Sequence, residues 1–184
     1  MVYPIVVYGS PVLRKKAIDI DRDYPGLTQF IANMWETMYE SDGVGLAAPQ
    51  IGKSVRLFVI DTAELDDKNP DFQNFKKTFI NPRIISTDGE IVTFNEGCLS
   101  LPNIHEDVNR VSKIQIKYYD ENWQLHDEEY QGVKARVIQH EYDHLEGILF
   151  IDHLSALKKK LLKGKLNDIT KGKVDVEYKI RVLR

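Results

Sequence analysis

A chain of 184 residues, 42% apolar and 29% charged, is long enough to bury a sizeable core and too apolar to stay unfolded. Its formal net charge of −3 excludes a protein that holds nucleic acid by bulk charge, and no sequence-specific nucleic-acid binding is expected. No apolar stretch reaches the ~18 residues of a membrane span, and the start, MVYPIVVYGSP, lacks a basic region ahead of an apolar run. A cytoplasmic protein with no membrane partner is the expectation. The single cysteine, Cys98, cannot form an intramolecular disulfide, which suits a reducing compartment.

In chain order, Leu27, Phe30, Ile31, Met34 and Met38 recur at helical spacing and predict an amphipathic helix over 27–43, stopped by Gly43. SVRLFVID (54–61) is short and β-branched and predicts a strand. The polar stretch 64–77 reads as a surface loop. TFINPRII (78–85) is extended, with Pro82 marking an edge or bend. Ile114, Ile116 and Tyr118 alternate with polar residues over 113–120, and DEN (120–122) turns that strand into a hairpin. A helix is predicted from Val133 to about Leu145, ended by Gly147. A second follows over 153–172, with Leu154, Leu157, Leu161 and Leu166 on one side. The tail from Lys173 is a last strand or a frayed end. Helix, strands, then helices point to an α+β fold with a largely antiparallel sheet.

The chemistry starts at QHEYDHLEG (139–147). Residues i and i+4 of a helix share a face, so His140 and His144 present two nitrogens side by side. Glu141 points slightly off that axis, the H-E-x-x-H arrangement in which the glutamate is a base and not a ligand. The bland alternative is a solvated helix face, but Val137, Ile138, Leu145, Leu149 and Phe150 mark the segment as buried, where ionisable groups are costly unless paired or metal-bound. A catalytic metal usually takes a third protein ligand. Glu146 falls on the wrong face and His153 lies past the helix end, whereas Cys98, in the tight turn NEGCLSLPN (95–103), offers a soft thiolate. Asp143 is either a supporting carboxylate or a surface charge, and Arg136 reads as a surface pair.

Three strings then stand in order: GVGLAAPQIG (43–52), EGCLSLP (96–102) and QHEYDHLEG (139–147). Together they resemble the signature strings of the peptide deformylase family, from the N-terminus to about residue 170. The resemblance implies one α+β catalytic domain over 1–184, antiparallel strands packed around the H-E-x-x-H helix, with 171–184 a variable tail. It implies Cys98, His140 and His144 as metal ligands and Glu141 as general base and acid. Gln50 and the Leu99 backbone N–H match the donors to the developing oxyanion. Gly45, and the backbone at Val44, Glu96 and Gly97, match the stretches that hold a peptide as an added strand; Gly43 and Gly45 also leave backbone open to close approach. Leu101 stands where the family more often has Val or Ile.

The implied reaction is removal of the N-terminal formyl group from formyl-methionyl nascent polypeptides, releasing formate. One divalent metal per chain is implied, Fe²⁺ natively, with Zn²⁺, Ni²⁺ or Co²⁺ able to take its place. Val44, Phe94, Val133 and Val137 are apolar, flank the motif residues and are the expected walls of a methionine pocket. A monomer is expected. The basic run LKKKLLKGK (157–165) is a candidate ribosome contact, against the plainer reading of a solvated helix face. Two other readings compete: a peptidase cutting internal bonds with a different third ligand, and a binding module with a closed structural metal, for which a fourth ligand is lacking.

Overall fold

The alternation at 113–120 belongs to one end of a strand nearly twice that length. The computed structural model describes residues 1–63 and 75–182. It contains β1 (Ile5–Val6), α1 (Leu27–Glu40), β2 (Gly45–Ala47), β3 (Leu57–Asp61), β4 (Lys76–Gly97), β5 (His105–Tyr119), β6 (Leu125–Gln131), α2 (Gly132–Leu145), α3 (Ala156–Thr170) and β7 (Ile180–Arg181). Five strands form an antiparallel sheet in the order β2-β3-β4-β5-β6, while β1 and β7 pair in parallel. The result is a single domain of mixed helix and antiparallel sheet. The expected loop at 64–77 lies, through residue 74, outside the described residues.

The apolar run of β3 explains the layering. Leu57 and Val59 join Phe30, Met34 and Met38 of α1 in one core, while Phe58 and Ile60 join Ile138 and Leu145 of α2 in a second. A strand buried on both faces needs apolar residues at both parities, so it reads as a run and not as an alternation. α1 ends at Glu40, and the left-handed residue is Asp42 (φ 54°) rather than the expected stop Gly43, whose N–H reaches Met38 O at 2.9 Å. Past α2, Gly147 takes φ 74° as expected, and a Cβ there would sit 2.7 Å from Arg14 O.

Two expectations need correction. The strand expected over 78–85 continues to Gly97, paired with β5 through several register shifts. Residues 85–95 are exposed on both faces, so no burial pattern marks them and only the backbone ladder makes them a strand. On α3, Leu157 and Leu161 are 67% and 74% exposed, while Leu162 and Ile169 are buried and the expected Leu166 packs partly buried on the same core. A third core collects these with Val7, Leu101, Ile104, Phe150 and Leu154. Ser155 caps α3, its hydroxyl accepting from Lys158 N at 3.3 Å.

Candidate metal centre

α2 follows β6 without a loop, so its register on the sheet is fixed from its first turn. His140, Glu141 and His144 then face the turn after β4. The ligand atoms of Cys98, His140 and His144 all lie within 4.8 Å of one another, and Cys98 Sγ is 3.4 Å from His144 Nε2. Metal–nitrogen and metal–sulfur bonds of ~2.0 and ~2.3 Å in a tetrahedron put the donors roughly 3.5 Å apart. A thiolate and two imidazoles so placed fit a divalent cation.

The imidazoles sit in opposed environments. Burial works against protonation of His140, but Cys98 and Glu96 outweigh it and raise its pKa well above the ordinary value. His144 is pushed well below that value by burial and then by the charge on His140. His140 Nδ1 lies 2.9 Å from Glu96 Oε2, which leaves its Nε2 for the centre.

Glu96 is where the structure departs furthest from expectation. Only its backbone was expected to matter, yet its carboxylate is buried and accepts from Arg110 Nε (2.7 Å) and Nη2 (3.0 Å) and from Arg136 Nη1 (2.7 Å). Burial alone would raise its pKa; His140 and Arg110 overcome that and hold it far below the usual carboxylate range. Arg136, expected at the surface, is 6% exposed. Asp143 proves a supporting carboxylate, bonded to Arg110 Nη1 and His153 Nε2 at 2.8 Å each. That contact places His153 on Asp143 and not among the three donors.

Glu141 is 4% exposed, and its Oε2 has no partner among the described residues. Burial, partly offset by the charges on His140 and Arg110, pushes its carboxyl up to about 7. The approach of Gly45 explains a motif glycine, since a Cβ there would lie 2.5 Å from Glu141 Oε1. Gln50 is buried. Ala47 N donates to its Oε1 at 2.8 Å, which turns Nε2 toward Cys98 Sγ (3.5 Å) and Ser100 Oγ (3.3 Å). The Leu99 N–H makes no backbone hydrogen bond to another described residue.

These groups open into a cavity of about 420 Å³. Every residue expected to bind substrate lines it: Gly43, Val44, Gly45 and Gln50 on one side, Phe94, Glu96, Gly97 and Leu99 on another, Val133 and Val137 from α2. Val176 and Tyr178 of the tail line it too, which sequence reasoning missed. The Tyr178 hydroxyl donates to Leu99 O at 2.8 Å, and burial, reinforced by Cys98, pushes its pKa up to about 12, so it remains a donor.

A family model for polypeptide deformylase matches residues 2–160. The chain belongs to the polypeptide deformylase family. Its function is the family's, removal of the N-terminal formyl group from nascent polypeptides by a metal-dependent hydrolase. Among its relatives, the peptide deformylase of Christiangramia forsetii is 57% identical, covering 98% of this chain and 96% of that protein. The crystal structure of the deformylase from Thermotoga maritima is 43% identical, with a TM-score of 0.76 over 84% of this chain and 99% of that one. That of a deformylase from Legionella pneumophila is 37% identical, with a TM-score of 0.81 over 93% and 96%. The match supports the resemblance drawn from the three strings.

Proposed function

We propose that deformylation takes place in this cavity, with Cys98, His140 and His144 holding one divalent metal and Glu141 moving the proton. The observation that carries this is the convergence of three donor atoms within 4.8 Å beside a buried carboxylate with an unpartnered oxygen. A cation bound there supplies Lewis acidity, polarising the formyl carbonyl and lowering the pKa of water from ~15.7 toward ~7. Glu141, with its pKa near neutrality, takes a proton from the attacking water and returns it to the leaving amine nitrogen. Gln50 Nε2 and the Leu99 N–H stabilise charge on the formyl oxygen, each such donor being worth about 3 kcal/mol. Glu96 holds His140 in one tautomer and is in turn held by two arginines.

β2 is an edge strand, and β4 beyond Arg83 has a ladder on its β5 side alone among the described residues. The cavity lies between these two edges, which suits a peptide bound as an added strand with formyl-methionine innermost. Val44, Phe94, Val133 and Val137 supply apolar walls for the methionine side chain. The mixed sulfur and nitrogen set suits Fe²⁺, the expected native ion, and accepts Zn²⁺, Ni²⁺ or Co²⁺. We further propose that residues 1–184 act as one catalytic domain, a monomer in the cytoplasm. No described helix is long and apolar enough to cross a membrane. The exposed Lys160, Lys163 and Lys165 of α3 are the candidate ribosome contact, while Lys158 and Lys159 are tied to Glu106 and to Asp152 O.

Formate release from formyl-Met-Ala-Ser by anaerobically purified, iron-loaded protein tests the assignment. Glu141→Gln is expected to lose roughly 10²- to 10⁴-fold in kcat with metal still bound. Cys98→Ala should lose the metal as well. Full activity in either variant would refute it.

A further inference from the structure

The family model stops at residue 160, yet part of the cavity wall comes from beyond it. From Lys173 the chain alternates strictly: Val174, Val176, Tyr178, Ile180 and Val182 are partly buried, and Lys173, Asp175, Glu177, Lys179 and Arg181 are exposed. Only Ile180–Arg181 forms a regular ladder, with β1, but the strap is tied at other points. Asn103 Nδ2 donates to Asp175 O at 3.2 Å, and Ile5 N to Lys179 O at 2.8 Å. Val174, Ile180 and Val182 pack on the third core. Val176 and Tyr178, between them, line the cavity instead.

Tyr178 does more than fill space, since its hydroxyl meets the carbonyl of Leu99. The turn after β4 is gripped from other sides as well: Gln50 Nε2 reaches Ser100 Oγ, Tyr8 N donates to Ser100 O at 2.8 Å, and Leu101 N closes on Cys98 O at 2.9 Å. The strap supplies the grip on Leu99 itself.

We propose that Tyr178 is a positioning residue for deformylation, its hydroxyl fixing the Leu99 carbonyl so that the neighbouring N–H stays aimed at the formyl oxygen, while Val176 and the Tyr178 ring close that wall of the cavity. The proposal rests on the assignment of Leu99 as an oxyanion donor. A donor that acts on charge present only in the transition state affects kcat more than KM.

The test uses the metal-loaded full chain with Tyr178→Phe, Tyr178→Ala and, as an outward-facing control, Glu177→Gln. Tyr178→Phe keeps the ring and removes one hydrogen bond. It is expected to lower kcat for formyl-Met-Ala-Ser about two- to tenfold, to leave KM within about twofold, and to leave metal content and melting temperature nearly unchanged. Amide exchange in a fragment spanning 98–104 should quicken. Tyr178→Ala should raise KM in addition, and Glu177→Gln should match the parent protein. Parent-like kcat and exchange in Tyr178→Phe would overturn the proposal, as would a fall in kcat matched by an equal loss of metal. If Glu141→Gln is inactive while Tyr178→Phe is parent-like, only this inference falls. If Glu141→Gln keeps full activity, the site assignment falls and takes the inference with it.

Discussion

Helices α2 and α3 have nearly the same length and invert the usual rule of placement. α2 buries Arg136, Gln139, Glu141 and His144, whereas α3 exposes Leu157 and Leu161. Most of the polar groups of α2 have a partner inside: Arg136 bonds Glu96, Gln139 donates to Val111 O, and His144 faces Cys98. A buried charge that lost its partner would be expelled or neutralised. Leu157 and Leu161 lie outside because that helix seals only one edge of the third core, with Leu162, Leu166 and Ile169 turned to it. Hydrophobic pattern alone therefore reads α3 wrongly and α2 incompletely, while the chemistry of the side chains reads α2 well.

The largest effect on stability is expected where buried charges depend on each other. Glu96→Gln leaves Arg110 and Arg136 without their shared anion and should cost about 3 kcal/mol in chemical unfolding, with looser metal binding through His140. A loss below ~0.5 kcal/mol would mean that the arginines find other partners and that the contrast between the helices is overstated. On α3, Leu162→Ala should cost about 2 kcal/mol. The double change Leu157→Ser and Leu161→Ser should stay within about 0.5 kcal/mol. Equal losses in the two would show that the exposed leucines are covered in solution.

A separate test concerns Glu128, away from both helices. Burial raises its pKa, but the hydroxyls of Tyr118 and Tyr130 and the ammonium of Lys77 prevail and hold it at about 2, against 4.5 for a free glutamate. A carboxyl depressed in the folded state contributes stability that is present above pH ~4.5 and lost as pH falls toward ~2. Glu128→Gln should therefore flatten the fall in stability between those values, measured by unfolding at stepped pH. An unchanged slope would remove Glu128 as a source of it.

Much of the site was legible because its residues carry rare chemistry at fixed spacing: two histidines one helical turn apart, one cysteine in a tight turn, and glycines where backbone must approach closely. The helices and the β5–β6 hairpin followed from periodicity. The outer half of β4 did not, because residues 85–95 face solvent on both sides and no burial pattern records a strand there. The carboxylate of Glu96 and its arginines were missed for a different reason. They lie up to 40 residues apart, and nothing local distinguishes a buried ion pair from a surface one. The tail reads only as a last strand or a frayed end, and nothing in its own residues says that Val176 and Tyr178 would line the cavity.

X-ray absorption at the metal edge of the iron-loaded protein tests the central claim most directly. The account predicts one sulfur at ~2.3 Å and two imidazole nitrogens at ~2.0–2.1 Å, with the sulfur contribution abolished in Cys98→Ser. A first shell of nitrogen and oxygen alone in the parent protein would contradict it.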